Sequence, residues 1–314
     1  MSDAEERSVP RLYASHPSPG YADKLEAADR RMGLRLHCCG VDADDYVGRE
    51  VLDAGCGTGE YALWFASEGA RVTGIDLSGR SLEEARSYAE KSGLENVTFE
   101  ERSVLDTGFE ADRFDLVYCT GVLHHTPAPF GGFRELCRVL RPGGKLLVSL
   151  YNLAGFLPRM IRWRIVRLVA DEDPRDRVRW GRRLFPRTAA RLHDDRLNDT
   201  ESPLFDYFGV SRQSVHSLGE VLGWLDRCGL EYRGSFPPAR LSDYPAMFAH
   251  PAYSTVEAKF RGPVQRWLAR LGRGSELDRE RPAFPSRLAA QFLWLVAGVG
   301  VFCVGGCKAP AEPA

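Results

Sequence analysis

Short apolar runs alternate along the first half of the chain with segments in which apolar residues recur every three or four positions. The apolar runs predict strands, and the periodic segments predict amphipathic helices. Strands that alternate with helices indicate βαβ units and therefore a parallel sheet. The predicted strands are Glu50–Ala54, Arg71–Ile75, Val97–Glu101, Phe114–Cys119 and Gly144–Tyr151, and the predicted helices are Tyr61–Glu68, Ser81–Ser92 and Phe130–Leu140.

The pattern changes after Asn152. Residues 155–196 carry twelve arginines and no lysine, and residues 197–215 have the composition of a loop. The α/β pattern then resumes before a second irregular stretch, so we predict one sheet domain that is interrupted by two insertions. The later predicted elements are a helix at Leu218–Cys228, a strand at Leu230–Ser235, and a helix at Pro263–Leu271 within the otherwise irregular residues 236–285.

The two ends of the chain have different patterns. Residues 1–20 are polar and hold three prolines, which predicts a flexible arm or lid without a secretory signal. Residues 21–40 have helical spacing, with Leu25, Ala28, Met32 and Leu36 on one face.

Near the other end, Leu288–Cys307 holds no charged residue and is about long enough to cross a bilayer. Because glycines interrupt this segment, we predict instead a short buried helix, roughly Arg287–Leu295, followed by a buried strand, Gly300–Cys307.

The composition of the chain indicates a globular protein but does not indicate its function. The 314 residues have a net charge of −1 and 44% hydrophobic residues, which is typical of a soluble globular chain and gives no reason to expect nucleic acid as a partner. The eight cysteines form no array with the spacing of a metal site, and the adjacent Cys38 and Cys39 do not favour a disulfide. We therefore expect reduced thiols, a cytoplasmic location and no metal.

The strongest chemical signal is the segment Val51–Gly59, in which a predicted strand enters a glycine-rich turn before a helix. Glycines at such a turn let the backbone approach a ligand closely. The next strand ends at Asp76, where a carboxylate can accept the hydroxyls of a ribose. Asp53 would repel a pyrophosphate but suits a cationic ligand. These features favour S-adenosylmethionine (SAM) over a dinucleotide.

On these residues the chain resembles the class I SAM-dependent methyltransferases, especially those whose fourth strand runs into a V-L-H-H-T-P segment. The resemblance covers about residues 48–151. It implies a Rossmann-like α/β fold, with a seven-stranded, mostly parallel sheet, helices on both faces and an α-rich substrate-capping insertion. The seventh strand would be antiparallel and lie at the sheet edge after strand six. The matching segments are Val51–Gly59, Gly74–Ser78, Phe114–Pro127 and Leu140–Ser149.

The resemblance also implies a division of the chain around this core. The expected parts are an N-terminal arm and lid helix (1–47), a SAM-binding core (48–152), an arginine-rich capping insertion (153–217), a core helix with strand six (218–235), a second insertion (236–297), and strand seven with a tail (298–314).

Several cofactor contacts follow from the same resemblance. Asp76 would hold the ribose and Leu77 would pack on the adenine, while Thr120 and Gly121 would face the sulfonium. The family usually has an aspartate eleven residues before Phe114. Here Ser103 and then Val104 stand at this place, and Asp106 is near enough to substitute. The residues expected around the methionine portion are Asp53, Ala54, Gly55, Cys56 and Gly57.

His124 and His125 are the candidate catalytic residues, because they follow the fourth strand at the edge where ligands bind in open α/β sheets. A histidine there could accept a proton from the methyl acceptor. The alternative is that one histidine caps the loop and the other packs on the sheet. In-line displacement from a sulfonium depends mainly on orientation and on exclusion of water.

The acceptor pocket is expected between the insertions and the N-terminal arm. Its candidate residues are Tyr13, Tyr151, Asn152, Tyr207 and His216, a mixture of aromatic walls and polar groups that suits a partly apolar small molecule. The alternative is that these aromatic residues form the core of the insertion itself.

The cationic segment 159–167 admits further alternatives. It is typical of an interfacial helix or an RNA-contacting surface, but acidic residues nearby favour a salt-bridged insertion. We predict a SAM-dependent methyltransferase for a lipid-like, quinone or natural-product acceptor, with a possible peripheral membrane contact. An RNA or protein methyltransferase and a non-enzymatic SAM binder are the alternatives, and the oligomeric state stays open.

Overall fold

The computed structural model describes residues 24–193, 202–251, 268, 276–297 and 299–310. It contains a seven-stranded sheet in the order β3-β2-β1-β4-β5-β7-β6. The strands are β1 (Glu50–Ala54), β2 (Arg71–Asp76), β3 (Val97–Glu101), β4 (Phe114–Thr120), β5 (Leu140–Tyr151), β6 (Leu230–Phe236) and β7 (Val301–Lys308). The predicted α/β fold with a mostly parallel sheet is confirmed.

The position of β7 differs from the expectation. Strand β7 runs antiparallel to both β5 and β6, as predicted, but it lies between them, and β6 forms the edge of the sheet. The burial of the two strands explains the order. Phe302, Cys303 and Val304 of β7 are buried, whereas β6 carries the exposed or half-exposed Glu231 and Arg233 and tolerates an edge.

Among the described elements, five helices flank the sheet: α1 (Lys24–Cys39), α2 (Glu60–Ser67), α3 (Gly79–Lys91), α4 (Pro129–Val139) and α8 (Leu218–Arg227). Helices were predicted at each of these places, with ends that differ by a few residues. In α3, Leu82, Ala85 and Ala89 are buried at helical spacing, and Ser78 caps the first turn. In α1, Met32 and Leu36 are buried as predicted, while the side chains of Leu25 and Ala28 lie outside the described residues.

The arginine-rich insertion is helical and has a core of its own. Phe208 and Val210 pack in a cluster with Trp163 and Val166, apart from the core of the sheet. A Cβ on Gly181 would approach the Phe208 ring to 2.5 Å, so the chain needs glycine there. The prediction of a loop over 197–215 is wrong for 202–209. The elements are α5 (Leu153–Val169), α6 (Pro174–Leu184), α7 (Pro186–His193), a helical turn (Ser202–Leu204) and a π-helix (Phe205–Gly209).

The second insertion is less irregular than predicted. It contains a 3₁₀ turn, Leu241–Asp243, and helix α9 (Tyr244–Ala249). The Trp294 Nε1–H donates to Tyr244 Oη at 3.0 Å, and both side chains are buried, which fixes this helix to the C-terminal part of the chain. The predicted helix at Pro263–Leu271 lies outside the described residues, apart from residue 268.

The apolar C-terminal segment forms helix α10 (Phe284–Val296) followed by β7, which confirms the predicted order of elements. The prediction that the helix is buried is wrong. Ala290, Leu293 and Trp294 are buried, but the opposite face of α10 is exposed because the helix packs on one side only. Within the described part of the chain, no helix is both long enough and apolar enough to span a bilayer.

Candidate functional site

A cavity of about 700 Å³ lies at the carboxyl ends of the parallel strands. The segments that follow β1, β2, β3, β4 and β5 supply one side of it, and α5 with the π-helix supplies the other. Helix α1 adds Arg35, and the first residue of β7 adds Val301. Open α/β sheets bind ligands at this edge, since parallel strands place their ends and the following helix N-termini there.

The glycine-rich turn after β1 shapes the floor of this cavity. Gly55 has φ of +80°, and a Cβ there would lie 2.2 Å from a methyl carbon of Val122. Gly57 has φ of +53°, with no atom within 4 Å of the position that a Cβ would take. A side chain is therefore excluded at Gly55 by the protein, whereas the space beside Gly57 is open to a ligand.

Asp76 ends β2 with its carboxylate at the cavity. Its Oδ2 accepts the Gly57 N–H at 2.9 Å, and its Oδ1 accepts the Ser78 N–H at 2.8 Å. Burial raises the pKa of Asp76 above its usual value, and the backbone hydrogen bonds partly oppose that shift. The carboxylate is thus fixed in place and can still accept hydroxyl groups of a ligand.

Asp53, which was expected to act on the methionine portion directly or through water, lies behind the glycine turn and is not on the cavity wall. Its side chain is 2% exposed, and its Oδ2 has no hydrogen-bond partner within the described residues. Burial raises the pKa of Asp53 to about 8, and the nearby Asp76 and Glu60 add to this shift.

His124 also lies away from the cavity. It is fully buried and stacks on Tyr151 with 3.6 Å between ring centroids. Neither of its ring nitrogens has a hydrogen-bond partner in the part of the chain that the structure describes. Burial holds the pKa of His124 well below its usual value, so the ring is neutral. A role in accepting a proton from a bound molecule does not fit this position, whereas the packing alternative does.

His125 lines the cavity and is held at both nitrogens. Because a carbonyl can only accept, Nδ1 carries the proton that is donated to Arg212 O at 3.0 Å. In the neutral ring Nε2 is then an acceptor, and the Tyr151 hydroxyl donates to it at 3.3 Å. Burial lowers the pKa of His125, and Asp206 partly offsets this shift. His125 is therefore a neutral base connected to a cavity-facing phenol.

The structure brings ten of the predicted site residues to the cavity wall. They are Gly55, Cys56, Gly57, Asp76, Leu77, Val104, Thr120, Gly121, His125 and Tyr151. Seven others lie off the wall: Asp53, Ala54, Ser103, His124, Asn152, Tyr207 and His216. Tyr13 lies outside the described residues.

The off-wall polar residues are engaged in structural contacts. Asn152 caps α5 by accepting the Ala154 N–H, and its amide donates to Val299 O at 3.0 Å. Ser103 Oγ accepts the Leu105 N–H, and Tyr207 Oη accepts from Arg162 at 3.1 Å.

His216 lies between Ser214 and Glu220, with ring nitrogens 2.8 and 3.0 Å from their side-chain oxygens. The polar groups of these predicted residues are therefore engaged in contacts within the protein, which explains why the residues are not part of the cavity wall.

Three arginines on the cavity wall, Arg35, Arg102 and Arg159, were not identified from the sequence. Arg35 donates to Tyr61 Oη at 3.2 Å, and its Nε is buried without a hydrogen-bond partner among the described residues. Arg159 forms an ion pair with Asp206 at 3.2 Å and lies over the rings of Tyr151 and Phe156. Arg159 belongs to the segment that the sequence predicts as a salt-bridged helix, and nothing in its spacing indicates that it faces a cavity.

Comparison with known proteins agrees with this geometry. Residues 46–173 match the protein family described as "Methyltransferase domain". The methyltransferase GfsG of Streptomyces halstedii is 36% identical over 147 residues, which are 46% of this chain and 52% of that protein. A ubiquinone biosynthesis O-methyltransferase of Actinobacillus pleuropneumoniae is 37% identical over 123 residues, 38% of this chain and 53% of that protein.

A solved structure shows the same fold. PKMT2 from Rickettsia typhi, in complex with AdoHcy, superimposes with a TM-score of 0.56 at 17% identity, covering 94% of this chain and 55% of that one. The sheet order, the glycine turn with Asp76 and these similarities together identify residues 46–173 as a class I SAM-dependent methyltransferase domain. The chain spans about half the length of the curated relatives described above.

Proposed function

We propose that the protein transfers the methyl group of SAM to a small, partly apolar acceptor such as a quinone-like phenol, a lipid-like molecule or a natural product. The observation that carries this proposal is the shape of the cavity. One continuous space joins the residues of the glycine turn and Asp76 to an aromatic wall of Tyr151 and Phe156. A nucleoside at the first end leaves room at the second end for an apolar ring.

The residues at the first end fit SAM. The open side of Gly57 admits the ligand backbone, and Asp76 can accept ribose hydroxyls. The guanidinium of Arg35, with its unpartnered buried Nε, suits the carboxylate of the methionine portion. SAM supplies a methyl group that is already activated on a sulfonium. The protein then has to orient the acceptor and exclude water.

The residues at the second end can handle a proton. His125 is neutral and accepts from Tyr151, so a hydroxyl on an acceptor near Tyr151 could pass its proton through the phenol to Nε2. Asp206 lies close enough to favour the imidazolium that forms. An acceptor with a phenolic or enolic hydroxyl agrees with the O-methyltransferase relative, although the acceptor atom belongs to the proposal.

The location in the cell is part of the same proposal. All eight cysteines are free thiols, which favours a reducing compartment such as the cytoplasm. The alternatives remain an RNA or protein methyltransferase and a protein that binds SAM without turnover. The aromatic wall favours a small acceptor over both, because a binder without an acceptor does not need that second space.

Calorimetric titration with SAM and S-adenosylhomocysteine, beside an Asp76→Ala variant, tests the cofactor half. We expect micromolar binding to the wild type and a loss of at least about 100-fold in the variant, because charge-assisted hydrogen bonds to the ribose are removed. Asp44→Ala, at an exposed position, is the matched control and should bind normally. Folded wild-type protein that binds neither ligand would contradict the proposal.

The acceptor half is tested by turnover on a panel of phenols with apolar tails. We expect S-adenosylhomocysteine to form with some of them and to form less in a Tyr151→Phe variant. Tight, steeply salt-dependent binding to bulk RNA with no turnover of small acceptors would favour the RNA methyltransferase instead. Binding of SAM without turnover on any panel would favour the non-enzymatic binder.

A further inference from the structure

Helix α5 carries a stripe of exposed apolar side chains. Leu153, Leu157, Ile161 and Ile165 recur every four residues, and Leu168 continues the same side near the end of the helix. Leu168 is 84% exposed, which is unusual for a leucine in a packed domain. The opposite side of α5, with Phe156 and Trp163, is buried in the core of the insertion. The stripe is therefore a second apolar face, which the described part of the protein leaves about half exposed at its first four positions and almost fully exposed at Leu168.

Helix α10 packs against α5 and repeats the pattern. Phe284 and Phe292 are each 67% exposed, and Leu288, Leu295 and Val296 lie on the same side of the helix. The opposite side carries the buried Leu293 and Trp294. Two neighbouring helices thus present apolar stripes to the outside, and we call this the α5–α10 surface. Apolar patches of this extent on a globular protein mark an interaction site.

The charge of the two helices is of one sign. Helix α5 holds four arginines and no acidic residue, and α10 holds one arginine and no acidic residue. Arg164 lies on the exposed side of α5 and makes no hydrogen bond or ion pair with any described residue. A second copy of the chain would place this cationic side against itself across a two-fold axis, which is unfavourable. An occupant with an apolar interior and an anionic surface suits both properties.

The α5–α10 surface also leads to the cavity. Val301 follows α10, is 40% exposed and lines the cavity wall. Phe156 and Arg159, on the inner side of α5, line the same wall. A Cβ on Gly155 would lie 1.8 Å from Val299 O, so the start of α5 and the entry to β7 are in direct contact. Within the described residues, the start of α5 and the entry to β7 therefore lie between the α5–α10 surface and the acceptor end of the cavity.

We propose that the α5–α10 surface docks the protein on a bilayer with anionic lipids, so that an apolar acceptor can pass from the lipid into the cavity. Aromatic and aliphatic side chains would enter the boundary between headgroups and acyl chains, and Arg164 would contact lipid phosphates. The route to the cavity rests on the proposed function, whereas the docking itself does not, because it needs neither SAM nor an acceptor.

The test is co-sedimentation of the whole chain with vesicles, without SAM or acceptor. One set contains phosphatidylcholine alone and the other contains an equal part of phosphatidylglycerol. We expect the wild type to bind the anionic vesicles at least about tenfold more strongly, with binding that weakens as NaCl is added. Equal binding to both sets, or no binding to either, would overturn the proposal.

Two variants locate the binding surface. Leu168→Ser combined with Phe292→Ser removes apolar contacts, and Arg164→Glu reverses one charge, so each should weaken binding to anionic vesicles by about tenfold or more. All three side chains are exposed, and thermal melting verifies that the variants fold. The matched controls are Val47→Ser and Lys91→Glu, exposed residues on elements away from α5 and α10, which should bind as the wild type does.

Binding of the Leu168, Phe292 and Arg164 variants that equals that of the controls would place the membrane contact elsewhere and overturn the assignment. Sedimentation velocity tests whether the α5–α10 surface is instead an interface between two copies of the chain. If the wild type is a dimer that Phe292→Ser converts to a monomer, and neither form binds vesicles, the surface is an interface between copies and the proposal is wrong. Loss of vesicle binding with intact SAM binding distinguishes a failure of docking from a failure of the proposed function.

Discussion

The two sides of the cavity are held together in different ways. On the side formed by the loops after β1 and β2, Asp76 binds the N–H groups of Ser78 and Gly57, two and nineteen residues away. On the side formed by the insertion, Arg159 binds Asp206 across 47 residues, and His125 binds Arg212 across 87. The cofactor side is a compact local motif, whereas the acceptor side exists only after distant segments have packed. A compact motif can hold one ligand while the other wall changes its shape.

The largest expected effect is that of replacing Phe208, which should destabilise the insertion side of the cavity and leave SAM binding on the cofactor side almost unchanged. Phe208→Ala removes a fully buried ring from the core of the insertion and should destabilise the insertion by about 3–5 kcal/mol. Hydrogen exchange should rise over residues 153–193 and 202–210, while SAM affinity changes by less than about threefold.

Phe65→Ala, in the core under the sheet, is the control and should impair both exchange protection and SAM binding. If Phe208→Ala also abolishes SAM binding, the two sides of the cavity form a single cooperative unit, and the cofactor side does not hold its ligand independently.

The next largest effect is expected at Arg35, which is the exception on the cofactor side because it comes from α1. Arg35→Met should weaken SAM binding by about 10- to 100-fold, since a charge-assisted hydrogen bond to the carboxylate is lost. Arg35→Lys keeps the charge and should recover part of the affinity. Calorimetry measures both. Unchanged SAM affinity in Arg35→Met would mean that Arg35 does not contribute and that the local motif around Asp76 binds SAM without it.

The last prediction concerns Asp53 and is a dependence on pH, in which the change over any one pH unit is smaller than the effects above. The pKa of about 8 in the folded state lies above that of an unfolded aspartate, near 3.9, so between these values the native state holds the extra proton. Stability from this group is therefore present at low pH and falls, by at most about 1.4 kcal/mol per pH unit, as the pH rises to 8.

Asp53→Asn should remove this fall, so that its stability relative to the wild type rises between pH 4 and 8 and is constant above. Urea unfolding at several pH values measures this difference. Asp44→Asn, at an exposed position, serves as the control, and parallel curves for Asp53→Asn and the wild type would mean that Asp53 ionises normally.

The fold and the cofactor end of the cavity were largely predictable, because strand periodicity and a glycine turn are local properties. The sequence could not predict Arg35 at the cavity, since its contact with Tyr61 depends on how α1 packs on α2. It could not separate His124 from His125 either. The two residues are adjacent, and only the packing of Tyr151 decides which ring is covered and which faces the cavity.

The error over α10 has a different cause. The segment is apolar, and apolar character predicts burial, but an apolar residue on the surface is compatible with folding when only one side of a helix has something to pack against. The sequence of α10 places Leu293 and Trp294 on one side and Phe284 and Phe292 on the other, and nothing in this pattern shows which side meets the sheet.

The place of β7 between β5 and β6 has a consequence for synthesis. Among the strands that the structure describes, β6 is hydrogen-bonded to β7 alone, so it cannot join the sheet when it leaves the ribosome. Until residues 301–308 have emerged, β5 keeps an open edge of the kind that pairs with other chains. The nascent protein therefore passes through a five-stranded stage, and the sheet is completed only after β7 has been made.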